Sequence, residues 1–214
     1  MTFLLQKIDE LTLGHHFHLT EDDICLYFGE YTAEKGFAFS NTNNLILNLK
    51  KDVLKKDKPE YKYKKRAIKQ IASFLSEYRD YLLKCTVVPV PPSRCKLDPK
   101  YDDRLINILD ECKKINSTVD FRELITQRET LIASHNSSNR PSCEELANNY
   151  EFHGSLANNI RSTIIIFDDV LTAGSHYKAM KTVIKQHIPD VQIIGLFIAR
   201  TVRNIIDDFD VIDF

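Results

Sequence analysis

The sequence lacks a net charge, a long apolar run and any close cysteine pair, and each absence removes a class of function. Its 29 Lys and Arg residues nearly balance 30 Asp and Glu, leaving a formal charge of -1. No global field therefore draws the chain to nucleic acid or an anionic membrane, and any polyanion binding must be local. The apolar runs fall far short of the roughly 20 residues that a spanning helix needs, and the amino terminus has no charged-then-apolar signal pattern. The expectation is a cytosolic protein without a membrane partner. The five cysteines, Cys25, Cys85, Cys95, Cys112 and Cys143, are odd in number and widely spaced, with no C-x-x-C pair. They read as reduced thiols. His15, His16 and His18 crowd one segment beside Asp22 and Asp23. With no cysteine and no helical i, i+4 histidine pair there, they read as surface histidines rather than metal ligands.

What the sequence does have is the composition of one ordinary domain spanning residues 1–214, with 43% hydrophobic and 28% charged residues. Its most legible stretch is Ser162 to Met180, STIIIFDDVLTAGSHYKAM. Ile164, Ile165, Ile166 and Phe167 form an unbroken apolar run, as in a strand covered on both faces within a parallel α/β sheet. Asp168 and Asp169 follow at its carboxyl end, where open α/β sheets bind ligands. Gly174 allows close backbone approach, and the helix that follows aims its free N–H groups back into the turn. Two carboxylates beside an anion cradle suit a ligand carrying both hydroxyls and phosphate. The bland alternative is an acid pair at a plain strand-to-helix turn, and the joint pattern argues against it.

FDDVLTAGSH, residues 167–176, resembles the phosphoribosyl pyrophosphate (PRPP) binding motif of type I phosphoribosyltransferases. VVPVPPSRCK at 87–96, LFIART at 196–201 and the segment 31–50 look like parts of the ComF branch of that family, without the cysteine-rich zinc module with which that branch often begins. The resemblance implies an α/β fold with a mostly parallel sheet flanked by helices, a small hood (residues 1–42) and a mobile lid (residues 126–161). It implies an enzyme that binds PRPP with Mg2+ and displaces pyrophosphate by a nitrogen of an unidentified acceptor. Asp168 and Asp169 would then meet the ribose hydroxyls and orient the magnesium through water or the ribose, with no direct protein ligand to the metal. Thr172, Ala173, Gly174, Ser175 and His176 would hold the ribose phosphate. Ser93 and Arg94, with Lys96 behind them, would face the pyrophosphate, and Arg94 joins the two acids in the catalytic set. Arg128, His135 and Arg140 fall on the lid, and Arg200 and Thr201 border the acceptor pocket. His176 stands where the family carries threonine or serine, and Ala173 where threonine is common. A protonated His176 would meet phosphate best, which makes affinity depend on pH near 6.5.

The remaining chain reads more plainly. Alternation around Ile24 to Phe28 and Phe37 to Phe39 predicts short antiparallel strands for the hood. Asn43 is a plausible cap for a helix carrying Leu45, Ile46, Leu49 and Val53. From Lys50 to Lys69 ten basic residues face three acids, a candidate nucleic-acid patch. Ile68, Ile71, Leu75, Tyr78 and Leu82 make a buried stripe through the same stretch, and with no aromatic-interleaved module the cations read as a solvated face. Thr86 to Val90 is a strand, and Asp98–Pro99 opens a helix with Tyr101 to Arg104 in its first turn. Thr126 to Arg161 is polar and poorly periodic, hence the lid, with Glu144, Leu146 and Tyr150 expected on a short helix within it. Tyr177, Met180, Ile184 and Ile188 line a core helix face, Val191 to Ala199 is a strand, and the acidic tail adds an edge strand or meets the hood. No nucleophile or triad is visible. A PRPP-binding regulator or partner protein in a DNA-related setting, acting with a second copy or another protein, is the alternative to an enzyme.

Overall fold

The computed structural model describes residues 3–131 and 141–202. Eight strands and seven α-helices alternate along these residues: β1 (Gln6–Lys7), α1 (Glu10–Leu13), β2 (Cys25–Thr32), α2 (Asn41–Leu49), α3 (Lys62–Glu77), α4 (Arg79–Leu82), β3 (Thr86–Pro89), α5 (Arg104–Ile115), β4 (Asp120–Phe121), β5 (Ile125–Gln127), α6 (Cys143–Asn149), β6 (Tyr150–Phe152), β7 (Thr163–Leu171), α7 (Ser175–His187) and β8 (Gln192–Val202). Six strands form one sheet in the order β1-β2-β8-β7-β3-β4, parallel except for β1. β5 and β6 pair antiparallel as a separate two-stranded sheet. No helix among the described residues is long and apolar enough to cross a membrane.

The core follows from the strands. Ile164, Ile165, Ile166 and Phe167 of β7 are all buried, which requires cover on both faces. α2, α3 and α5 pack together in one layer, and α6 packs on α7 in another. Ring contacts of Phe28 with Phe74 and Tyr78 join β2 to the first layer, and Gly195 of β8 abuts Tyr177 of the second. All five cysteines are free.

Several boundaries differ from the expectation. The segment expected to make a hood instead supplies β1 and β2 of the main sheet. Cys25, Tyr27 and Phe28 are buried, and β2 runs parallel to β8. The antiparallel pairing expected around Ile24 to Phe28 is present only where β1 meets β2. Phe37 to Phe39 are turns, not a strand. Ser40, not Asn43, caps α2; the buried Asn43 amide holds the backbone of Thr32 and Lys35. Within 126–161 the short helix expected around Glu144 and Leu146 is α6, whose start is fixed by a reciprocal Ser142–Glu145 capping box, while Tyr150 opens β6 and the β5–β6 strand pair was not expected. β7 and β8 both run further than their apolar cores, so Asp168, Asp169, Arg200 and Thr201 lie inside strands. His135, Arg140 and the acidic tail from 203 lie outside the described residues.

Candidate functional site

β3 and β7 are parallel neighbours, so their carboxyl ends lie side by side. Between the loop after β3 and the acid pair of β7 is a cavity of about 250 Å3. Ser93, Arg94, Lys96, Asp168, Asp169, Thr172 and His176 line it, together with Lys50 and the Tyr101–Ile106 stretch. Ala173, Gly174 and Ser175 complete the turn beside it. Arg128 is exposed, its N–H donating to the Asn149 carbonyl at 2.9 Å. Arg200 and Thr201 are not among the lining residues. Arg200 is buried in β8, paired with Glu30 and stacked over Tyr27.

The turn is built to stay open. Gly174 has φ of +90° and caps α7 in the left-handed region, where a side chain is strained. A Cβ there would also lie 2.9 Å from Leu19 Cδ2. The amino-terminal segment braces the turn from behind, because the His18 N–H donates to the Ala173 carbonyl at 3.0 Å and the His16 ring contacts the Thr172 carbonyl. His16 is fully buried, not a surface residue. With its backbone held, the turn leaves the first N–H groups of α7 as the natural anion donors.

The two aspartates, adjacent on one strand, point to opposite faces and meet different surroundings. Asp169 is buried between two cations: Arg104 Nε reaches Oδ2 at 2.6 Å and Lys50 Nζ reaches Oδ1 at 3.0 Å. Burial alone would raise its carboxyl, but Arg104 and Lys50 outweigh it and hold Asp169 below the usual carboxylate range. The pairing continues through Asp102, which accepts from Arg104 Nη1 at 2.7 Å and from Lys64 Nζ at 2.8 Å. Lys64 is 1% exposed and also donates to the Lys51 carbonyl. Among the described residues no cation pairs with Asp168. Its Oδ1 accepts the Asp169 N–H at 2.7 Å, and burial beside the Asp169 charge pushes its carboxyl up to about 7.

His176 follows the turn, with Nδ1 2.8 Å from the Tyr150 hydroxyl. Burial lowers the His176 imidazole below its ordinary range, so it is neutral at pH 7. Burial raises Tyr150 well above its ordinary range, so its hydroxyl stays protonated. Across the cavity, Arg94 Nη1 is 3.1 Å from Asp98 Oδ2, which also accepts from the Thr130 hydroxyl at 3.0 Å. The Leu131 N–H donates to the Ser93 carbonyl at 2.9 Å, tying this loop to the residues after β5.

Sequence reading missed Lys50, Asp102, Arg104, Tyr150 and His16. Lys50 was hidden in a basic run and Tyr150 in the supposed lid. Arg104 and Asp102 were in view, but the helix opens only at Arg104, so Tyr101 to Asp103 turn into the cavity instead of forming its first turn. No group of three or more metal-ligating side chains occurs among the described residues. The whole arrangement offers one half-buried carboxyl without a cation partner among the described residues, an anion-binding turn and a facing arginine. No protein-family model matches the chain, and no curated protein does.

Proposed function

We propose that the chain is a type I phosphoribosyltransferase-like enzyme of the ComF-like branch, binding PRPP with Mg2+ and transferring phosphoribose to a nitrogenous acceptor. The observation that carries this reading is the convergence on one cavity of Asp168, the Gly174 turn and the Ser93–Arg94 loop, at the carboxyl edge of a parallel sheet. The ribose phosphate sits on the N–H groups opening α7, with the neutral His176 donating from Nε2 because Tyr150 engages Nδ1. Asp168 takes the ribose hydroxyls. Asp169 is the anchor that holds Lys50 and Arg104 in place, a narrower role than hydroxyl recognition. Arg94 meets the pyrophosphate through paired N–H donors.

The residues fit a magnesium ion that arrives on the substrate. Both Asp169 oxygens are taken by cations, so Asp168 is the carboxylate that would orient it through water or the ribose, the substrate phosphates supplying its direct oxygens. Bound there, the ion would neutralise charge on the departing pyrophosphate. In the reaction the C1–O bond to pyrophosphate breaks with its electron pair on oxygen, and a bond forms from the acceptor nitrogen to C1. The chain positions the two partners and stabilises charge, so no protein nucleophile is required.

A second reading, a PRPP-binding regulator that does not turn over, draws on the Lys50 contact, which occupies one oxygen of the acid pair. The two separate in an assay of pyrophosphate release from PRPP–Mg2+ across a panel of purine, pyrimidine and amine acceptors. Acceptor-dependent release supports the transferase; tight PRPP binding with no release from any acceptor supports the regulator.

A further inference from the structure

The basic run resolves into two groups with different work. Lys50 and Lys64 belong to the cavity network. Lys56, Lys58, Lys62, Lys65, Arg66 and Lys69 are exposed. Among these cations stands Tyr63, 42% exposed, with Lys62 Nζ at 5.2 Å, Arg66 at 5.6 Å and Lys51 Nζ at 6.0 Å from its ring centroid. Lys51 also lies 4.9 Å from the ring centre of Phe37, which is 46% exposed. Two open aromatic rings are thus bridged by one lysine and rimmed by further cations. The expectation of a plain solvated face rested on a lack of interleaved aromatics, and folding supplies them from Tyr63 and from the distant Phe37.

We infer that this surface, from Phe37 across Lys51 to the Tyr63–Arg66 turn of α3, binds single-stranded nucleic acid. The rings give faces on which unpaired bases stack, and the cations give the backbone phosphates their partners. A base laid on Tyr63 replaces a ring–cation contact with a ring–base one and turns the freed ammonium or guanidinium to the phosphate beside it. The fold gains little from the arrangement otherwise. α3 opens with no acidic residue and no side-chain cap, and clusters its cations at the positive end of the helix dipole. A lipid surface suits the patch less well, because the aliphatic stripe of α3, Ile68, Ile71 and Leu75, faces the core. With net charge near zero, the attraction must come from this patch and not from the whole molecule.

The test is fluorescence anisotropy of a labelled 20-nucleotide oligothymidine with the full chain across a salt series. Binding should weaken with salt with a log–log slope of about -0.7 for each phosphate contact, so roughly -2 to -3 for three or four cations. Tyr63→Ala should weaken binding about 5- to 150-fold, the loss of one stacked base, while Tyr63→Phe keeps it. Tyr63 lies outside the core, and circular dichroism verifies the fold of each variant. Lys62→Ala with Arg66→Ala should flatten the salt slope by about 1.4. Absence of binding at low salt, unchanged affinity in folded Tyr63→Ala, equal affinity for a duplex of the same length, or preferential capture by phosphatidylserine vesicles would each overturn the inference. PRPP titration of Tyr63→Ala separates this surface from the cavity, since neither its presence nor its failure alters the cavity residues.

Discussion

Asp168 and Asp169 divide one motif between two kinds of work. Asp169 is neutralised by Lys50 and Arg104; removing its charge frees the exposed Lys50 and leaves Arg104 with Asp102 as its one carboxylate among the described residues. Asp169→Asn should therefore cost about 1–3 kcal/mol in urea unfolding, the loss of hydrogen bonds to a buried charged group. That makes Asp169 unsuited to a test of binding alone, whereas Asp168→Asn removes a carboxyl that burial and the neighbouring Asp169 charge already push upward. The sign of its linkage follows. A folded carboxyl raised from 3.8 to about 7 binds more protons than the unfolded chain between those values, so it lowers stability as pH rises through that window. Asp168→Asn should consequently gain on the natural protein between pH 5 and pH 8 when unfolding midpoints are compared; a difference independent of pH would contradict this placement. Affinity for PRPP should rise with pH through about 7 as Asp168 ionises, the reverse of the dependence expected from a protonated His176. At the turn, Gly174→Ala meets both a left-handed backbone and Leu19, and should lower stability by more than the roughly 1–2 kcal/mol of the backbone conformation alone, read by thermal unfolding.

Among the elements, those with a strong local signal were the legible ones. The apolar run of β7, the Thr86–Pro89 strand and the spacing of Tyr177, Met180 and Ile184 on α7 place the acid pair and the turn at a sheet edge from sequence alone. The ion pairs were not legible, because Arg104 and Asp169 are 65 positions apart and Lys64 and Asp102 are 38 apart. Pairing at that range follows from how helices dock and has no local pattern to betray it. The same holds for His16, where burial depends on the Thr172 carbonyl across the fold. Lys64 is the sharpest case of an apparent surface cation that is a core residue. Lys64→Ala should destabilise by about 2–5 kcal/mol through lost packing and an underpaired Asp102, and Lys64→Met by less, since the methionine fills the space and Arg104 still serves Asp102. Chemical denaturation of the two variants decides between a core role and a surface one.

For the molecule as a whole, pH dependence sums groups at both ends of the sheet. Burial would raise the Asp23 carboxyl, but Lys178 at 2.7 Å and Lys181 at 2.6 Å bring it down to about 2. Asp23 and Asp169, both depressed, add stability above the unfolded value near 4 that is lost as pH falls toward their folded values. Asp168 works in the opposite direction between 4 and 7. His16 and His176, lowered by burial, oppose Asp168 by adding stability as pH rises toward 6.5. The thermal midpoint should thus fall steeply below pH 4 and change little from pH 5 to pH 7; a flat profile from pH 5 to pH 3 would contradict the ion pairing. The central claim, that the cavity takes PRPP, is tested most directly by calorimetric titration of the chain with PRPP and Mg2+, alongside folded Asp168→Asn. Saturable binding at one site per chain, weakened at least tenfold in the variant, is the result this account predicts. Absent binding, or equal affinity in the variant, would contradict it.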